Sequence, residues 1–181
     1  MNKTPNLALV YDFETSGLPL FSEPSDHPNQ PHVVQVGAQL ENMDSRIVVP
    51  SLDVIVRQVG GSIPDEVAKV HGITTEMTKG APRWAEILPA VVALTAGKTA
   101  IIYNTAFDLG AIAHACAISA VPCPRLSTAC AMTLYAEYAG EWSDYWERYR
   151  FIRLSRAAAA FGHLHQHAHD ALSDCIATRA V

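Results

Sequence analysis

The chain has 181 residues with 49% hydrophobic and 17% charged residues, and it carries a formal charge of −5. This length and composition predict one globular domain over residues 1–181 and exclude an intrinsically disordered chain. The acidic balance argues against a protein that coats nucleic acid by bulk positive charge, but not against an enzyme whose acids bind metal ions.

The first part of the chain predicts an antiparallel meander. Alternating, β-rich segments predict strands at 7–13, 33–40 and 46–49, with a turn at 41–45. Residues 52–58 either extend the third strand or form a short piece of their own. The connections are short for a crossover helix, which favours antiparallel pairing.

Strands and helices alternate in the rest of the chain. We predict helices at 64–70, 83–95, 107–117, 128–138, 154–161 and 171–181, and strands at 100–103 and 124–127. Pro89 lies inside the second helix and is expected to kink or split it. A meander followed by alternating elements predicts an α/β fold with a mixed sheet flanked by helices.

Paired acids end the first predicted strand. Asp12 and Glu14 are two residues apart, so both carboxylates project from the same face. Without a cation these groups repel each other and resist desolvation. Taken alone, the pair is equally compatible with a solvated strand end.

Two more acids follow in distinct contexts. Asp108 comes just after the fourth predicted strand, where Asn104 can cap or brace the turn, although a first-turn acid also suits a helix dipole. Asp174 lies in the first turns of the last helix, and His169 lies just before that helix. Asp170 as a helix cap is the alternative explanation, and the small Ala171 would let the helix approach the sheet closely.

Together these segments resemble the DEDDh, or DnaQ-like, family of 3′-to-5′ exonucleases. The matching motifs are D-F-E-T-S-G-L at 12–18, N-T-A-F-D at 104–108 and H-D-A-L-S-D at 169–174. The last motif matches the histidine branch of the family rather than the tyrosine branch. Weaker matches are V-H-G-I-T at 70–74 and the segments at 154–155 and 161–162, so the resemblance runs from about residue 7 to the end.

The resemblance implies a ribonuclease H-like fold with a five-stranded mixed sheet. It also implies two divalent metal ions, Mg²⁺ or Mn²⁺, held by the hard oxygen ligands of Asp12, Glu14, Asp108 and Asp174. His169 would be the general base, since its usual pKa of ~6.5 lies near working pH. The terminal nucleotide would be bound by Thr15, Gly17, Leu18, Asn104 and Phe107.

The implied reaction is hydrolysis of phosphodiester bonds from the 3′ end of DNA, in proofreading or repair, releasing nucleoside monophosphates. The partner is then a nucleic acid with a free 3′ end, single-stranded or frayed. One alternative is an RNA-trimming enzyme of the oligoribonuclease or ribonuclease T kind, because no residue reports on the 2′-hydroxyl. Another is an inactive polymerase-binding subunit. A DNA polymerase and a second copy of the chain are further candidate partners.

Some segments depart from the family pattern. Residues 19–32 form a longer, proline-rich connection that could gate substrate, contact a partner or be a passive insertion. Q-V-G at 35–37 stands where the family has E-I-G, a variation that removes no metal ligand.

Several further signals receive a structural interpretation. His163, His165 and His167 are expected to be solvated loop residues, with transition-metal capture as the alternative. We expect residues 142–156 to form a helix that packs its aromatic rings on the core, with Arg148 and Arg150 as candidate phosphate contacts. The alternative is a groove for a single strand, in which the rings stack on bases beside the guanidinium groups. His71 and Trp84 are expected to be packing residues.

The remaining expectations concern cellular location. Residues 1–14 carry one lysine and two acids around a short apolar stretch, which is untypical of a signal peptide. No apolar run reaches the ~20 residues of a membrane helix. Four cysteines without a C-x-x-C pair predict reduced, mostly buried thiols. We therefore expect a cytoplasmic protein that does not bind membranes.

Overall fold

The computed structural model describes residues 6–45 and 47–181. One five-stranded sheet has the strand order β3-β2-β1-β4-β5. Its strands are β1 (Leu7–Thr15), β2 (Val33–Asn42), β3 (Ile47–Ile55), β4 (Thr99–Ile102) and β5 (Ser127–Cys130). The first three pair antiparallel, whereas β4 runs parallel to β1 and β5 runs parallel to β4. The predicted mixed sheet is confirmed.

Helices flank this sheet, and a small hairpin lies apart from it. The helices are α1 (Asp65–His71), α2 (Thr75–Thr78), α3 (Trp84–Thr95), α4 (Thr105–Ile118), α5 (Ala131–Ala139), α6 (Leu154–Ala160) and α7 (Ala171–Ala180). The hairpin consists of β6 (Trp142–Ser143) and β7 (Arg148–Tyr149). Neither α2 nor the hairpin was predicted. Among the described residues, no helix has the length and apolar character needed to cross a membrane.

The central strand β1 separates the core from the side that carries acids. Leu9, Tyr11 and Phe13 alternate along it and pack in the main core with side chains of α3 and α4. The Tyr11 hydroxyl donates to the carbonyl of Val91 in α3 at 3.0 Å. The intervening side chains, Asp12 and Glu14 among them, therefore point to the opposite face, where α7 packs.

Gly37 lets α7 pack directly on the sheet. It pairs with Asp12 across the β1–β2 ladder. A Cβ atom at Gly37 would lie 2.3 Å from the carbonyl carbon of Ala171 and 2.4 Å from its oxygen. Ala171 is fully buried, so the close approach that we predicted at this residue is confirmed. Only glycine fits this position.

The edge strands differ from the predicted ranges. Residues 47–49 and 52–55 belong to one strand, β3. A bulge lies between Val49 and Ser51, so Pro50 has no partner residue in the pairing with β2. Arg46 lies outside the described residues. The fifth strand covers Ser127–Cys130 rather than 124–127, since its parallel pairing with β4 begins at Ser127, and α5 accordingly begins at Ala131.

Pro89 does not split α3, so the predicted split is wrong, while the predicted kink stays a prediction. The helix runs without a break from Trp84 to Thr95 with Pro89 inside it. Both Pro89 and Ala85 lie on the exposed side of the helix. Water can therefore hydrate the Ala85 carbonyl, whose usual N–H partner the proline removes.

The predicted helix over 142–156 is also wrong. The segment forms the β6–β7 hairpin and an extended stretch before α6. Its rings are exposed instead of packed on the core. Trp84, by contrast, is buried and its indole N–H donates to the Cys116 sulfur at 3.2 Å, which confirms a packing role.

The proline-rich connection is folded against the domain. The buried Gln30 side chain accepts from the Leu20 N–H and donates to the Leu20 carbonyl, both at 2.9 Å. His114 in α4 donates from Nδ1 to the Ser25 carbonyl at 2.5 Å. Whether this connection gates substrate or contacts a partner stays a prediction.

All four cysteines are free, as expected. Cys116 and Cys175 are buried and Cys130 is half-buried, but Cys123 is exposed.

Candidate active site

Three elements bring the four predicted acids to one place. Asp12 and Glu14 lie near the end of β1, Asp108 in the first turn of α4, and Asp174 in the first turn of α7. Besides burial, the charges of Asp108, Asp174 and Glu14 raise the pKa of Asp12, and the charge of Asp174 also raises the pKa values of Glu14 and Asp108. The four acids therefore lie close enough to influence one another and form one cluster.

The cluster resists ionisation in the absence of a cation. Burial, and next the repulsion from Asp174, raise the pKa of Glu14 from 4.5 to about 8. Burial and the negative charge of Asp108 raise the pKa of Asp12 well above its ordinary value. Burial also raises the pKa of Asp108, which is only 3% exposed, although the backbone N–H of Phe13 opposes the shift.

Such a set of groups fits divalent cations. Carboxylate oxygens are the ligands that Mg²⁺ and Mn²⁺ prefer. A bound cation would replace the mutual repulsion of the acids with attraction and return them to the charged form. One ligand atom each of Glu14, His169 and Asp174 already lies within 4.8 Å of the others. The donor chemistry and the mutual repulsion of the acids both suit metal binding.

His169 stands at the rim of this cluster in an unusual backbone conformation. Its φ of 67° lies in the left-handed region, which a non-glycine residue adopts only when its surroundings hold it there. Its backbone N–H donates to Asp174 Oδ1 at 3.1 Å. The side chain is exposed, so the imidazole can reach both the acids and a molecule in the cleft.

His165 corrects the expectation of a solvated histidine tract. Its side chain is only 2% exposed, and its Nε2 lies 2.7 Å from Asp174 Oδ1. This contact opposes the effect of burial, which raises the pKa of Asp174. His167 is exposed as expected, and His163 is half-buried. Within the described residues, the candidate metal-binding group contains none of these three histidines.

Gln35 holds the start of α7 on the sheet. Its side-chain amide donates to Asp53 Oδ1 at 2.9 Å and to Asp170 Oδ2 at 3.0 Å, and its oxygen accepts from the Ala171 N–H at 3.1 Å. Asp170 also caps α7 by accepting from the Ser173 N–H at 2.9 Å. Asp170 therefore has the cap role that we gave as an alternative. The role of Gln35 becomes visible only when β2 and α7 are packed together.

The residues predicted to bind substrate lie at the end of β1 and at the start of α4, on elements that also carry the acids. Thr15 Oγ1 donates to the Gly17 carbonyl at 2.6 Å, which closes the turn after β1 and leaves Leu18 81% exposed at its tip. Phe107 is half-buried in the first turn of α4. Asn104 precedes that helix but makes no side-chain capping bond, so the predicted capping role is wrong.

A cleft of about 610 Å³ opens beside the cluster. Its lining includes His165, His169 and Asp174 together with Asn104 and Phe151. His71 is a neighbour that the sequence did not indicate as a site residue. The backbone of Thr15 and the charge of His169 both affect its pKa, which burial lowers. His71 therefore borders the site as well as packing against the domain.

The sequence matches the family model RNase_T, described as Exonuclease, over residues 9–181. The uncharacterised exonuclease CP81 of Escherichia phage 186 is 37% identical over 126 residues, which is 66% of this chain and 64% of that protein. The DNA polymerase III subunit epsilon of Escherichia coli (strain K12) is 25% identical over 125 residues, or 69% of this chain and 49% of that subunit. The chain thus spans less than two thirds of the length of these relatives.

Solved structures share the fold. The nuclease domain of 3′hExo, a DEDDh family member bound to rAMP, has a TM-score of 0.74 at 14% identity and covers 99% of this chain and 92% of that one. E. coli exonuclease I in complex with a dA16 oligonucleotide has a TM-score of 0.74 at 19% identity. The match covers 96% of this chain and 39% of that chain. The predicted ribonuclease H-like fold is confirmed. The chain therefore belongs to the DnaQ-like exonuclease family that the RNase_T model describes.

Proposed function

We propose that the protein is a metal-dependent exonuclease that removes nucleotides from the 3′ end of single-stranded or frayed DNA. The observation that carries this proposal is the cluster of four acids on β1, α4 and α7 with His169 at its rim. Membership of the exonuclease family and the likeness of the fold to 3′-exonucleases support it.

Asp12, Glu14, Asp108 and Asp174 would hold two divalent cations, Mg²⁺ or Mn²⁺. When bound, these cations activate the attacking water and stabilise negative charge on the leaving 3′ oxygen. β1, α4 and α7 hold the four carboxylates on a rigid scaffold, with Asp108 buried and the other three half-buried. Their raised pKa values in the metal-free protein imply that cation binding releases protons.

His169 would take the proton from the water that attacks the last phosphodiester. The new bond forms between the water oxygen and phosphorus, and the bond between phosphorus and the 3′ oxygen of the shortened strand breaks. The products are a nucleoside 5′-monophosphate and a strand with a new 3′-hydroxyl. An exposed imidazole near Glu14 and Asp174 is suitably placed for this transfer.

The turn formed by Thr15, Gly17 and Leu18, together with Asn104 and Phe107, would bind the terminal nucleotide. Leu18 and Phe107 offer apolar contacts on which any base can pack, since every base has a π-face. Such contacts read no sequence, which suits an enzyme that must remove every nucleotide.

DNA is the proposed substrate because the relatives with known assemblies are subunits of a DNA polymerase. The same relatives make a polymerase a candidate partner. RNA trimming is the alternative, since one structural neighbour is described as recognising the histone mRNA stem-loop. The intact acids speak against an inactive binding subunit.

The proposal is tested by following 5′-labelled and 3′-labelled strands of single-stranded DNA, mismatched duplex DNA and RNA. We expect a ladder from the 5′ label and early release of mononucleotide from the 3′ label, with Mg²⁺ or Mn²⁺ and not with EDTA. Faster decay of DNA than of RNA supports the substrate, and the reverse order would establish the alternative. Internal cuts or loss from the 5′ end would contradict the proposal.

A further inference from the structure

A cluster of exposed aromatic rings surrounds the β6–β7 hairpin. Five aromatic residues occur between positions 142 and 151, and all of them are exposed: Trp142, Tyr145, Trp146, Tyr149 and Phe151. Tyr145 and Trp146 are 83% and 63% exposed. Exposed apolar surface of this density marks an interaction site rather than a packing face. We call this set of rings, together with Arg148 and Arg150, the hairpin surface.

The rings hold one another in a defined arrangement. Tyr145 and Trp146 meet edge to face with centroids 4.7 Å apart, and Trp142 and Tyr149 do the same at 5.3 Å. The Arg148 guanidinium lies 4.0 Å from the ring centroid of Phe151 and 5.8 Å from that of Trp146. The surface is therefore organised before any partner binds, which lowers the entropic cost of binding.

The chemistry of the hairpin surface fits a single-stranded nucleic acid. A groove of about 400 Å³ runs between its rings and is lined by Arg148 and Arg150. Among the described residues lining this groove none is acidic. Of the nearby acids, Glu141 is paired with Arg156 at 2.6 Å. Asp144 and Glu147 lie in the exposed turn between β6 and β7, outside the lining of the groove. Rings offer stacking faces for bases, and guanidinium groups attract phosphates.

The hairpin surface is continuous with the candidate active site. Phe151 borders both the groove of the hairpin and the cleft that contains His169 and Asp174. The buried Tyr103, directly after β4, donates from its hydroxyl to the Ile152 carbonyl at 2.7 Å. This bond fixes the end of the hairpin segment relative to the sheet, so the two surfaces keep a constant separation.

We infer that the hairpin surface binds the part of the single strand that lies on the 5′ side of the nucleotides in the cleft. This inference rests on the proposed function, because it requires a 3′ end to be held in the cleft. A strand leaving the cleft past Phe151 meets the stacking rings and Arg148 next. The hairpin thereby favours long single strands over very short ones.

The test compares steady-state kinetics on a dinucleotide and on a long single-stranded oligonucleotide. We expect the KM of the wild type to fall as the strand becomes longer. We compare the KM for the long strand divided by the KM for the dinucleotide. Trp146→Ala is expected to raise this ratio about tenfold, which is the usual loss of affinity when one stacked base loses its ring. Arg148→Gln should lower the slope of log KM against log salt concentration by about 0.7 on the long strand.

Tyr138→Ala serves as the matched control, because Tyr138 is an exposed ring on α5 that does not line the groove of the hairpin surface. Its KM ratio should equal that of the wild type. If Trp146→Ala and Arg148→Gln keep the thermal midpoint and both wild-type parameters, the hairpin surface serves another class of partner and the inference is overturned. A wild type that hydrolyses neither substrate would instead overturn the proposed function.

Discussion

The backbone of His169 determines where its imidazole lies. Its left-handed φ and its N–H bond to Asp174 tie the proposed base to one of the proposed metal ligands. Asn tolerates this conformation better than most residues. His169→Asn is therefore expected to fold and bind Mn²⁺ while kcat falls by about 10²–10⁴-fold.

The control for this change is His167→Ala, an exposed histidine two residues earlier in the same loop. It should keep the wild-type rate. Thermal unfolding and Mn²⁺ titration by calorimetry establish that both variants are intact. A His169→Asn enzyme with full turnover between pH 6 and 8 would contradict the assignment of the base.

Glu14 makes stability depend on pH when no metal is present. Its folded pKa of about 8 lies above its ordinary value of 4.5. Its contribution is therefore complete below about pH 4.5 and is lost as pH rises towards 8, because the unfolded chain ionises first. We expect the Tm advantage of Glu14→Gln over wild type, measured in EDTA, to grow between pH 5 and 8.

Glu137→Gln is the control for the loss of one carboxylate, because Glu137 is an exposed residue on α5. Its Tm should follow that of the wild type at each pH. Added Mn²⁺ should raise the wild-type Tm most at pH 8, because at that pH the acids release the fewest protons when the cation binds. If the Tm difference between Glu14→Gln and wild type stays constant or shrinks as pH rises, the predicted effect of Glu14 is contradicted.

At the level of elements, the packing of α7 on β2 positions both Asp174 and His169. Gly37→Ala would place a Cβ atom 2.3 Å from the Ala171 backbone and push α7 away from the sheet. We expect a loss of about 1–3 kcal/mol, or roughly 2–12 °C in Tm, together with reduced kcat. Gly80→Ala, where a Cβ would meet no heavy atom within 4 Å, should change neither value. Equal Tm values for the two variants would contradict this role.

The same element shows what local sequence patterns can predict. The strand alternation of β1, the apolar period of α3 and the cap at Asp170 are local signals, and the structure contains each of these elements. The bonds of Gln35 to Asp170 and the Ala171 N–H join residues far apart in the chain. No local pattern could predict them.

Two errors have the same physical origin. Alternating histidines at 163–169 suggested a solvated loop, but folding of that loop against α7 buries His165 beside Asp174. Aromatic residues at 142–151 suggested core packing, yet the core is filled by other side chains and the rings stay outside. Burial is decided by the assembled fold, and periodicity reports only which residues share a face.

On the scale of the whole molecule, a net charge of −5 conceals two opposite local charges. The acids of β1, α4 and α7 form a negative cluster, whereas Arg148 and Arg150 line the neighbouring groove. Metal ions at the cluster would make the whole path attractive to a phosphate backbone. The overall charge therefore says little about substrate binding in this protein.

The central claim is that the four acids form one metal site for hydrolysis at a 3′ end. Its most direct test is the Mn²⁺-dependent release of a 3′ label by wild type, Asp12→Asn and Glu137→Gln under identical conditions. We expect Asp12→Asn to fold, bind Mn²⁺ more weakly and lose at least about 10²-fold in rate, whereas Glu137→Gln matches wild type. Release at the wild-type rate by Asp12→Asn, or by wild type in excess EDTA, would contradict the claim.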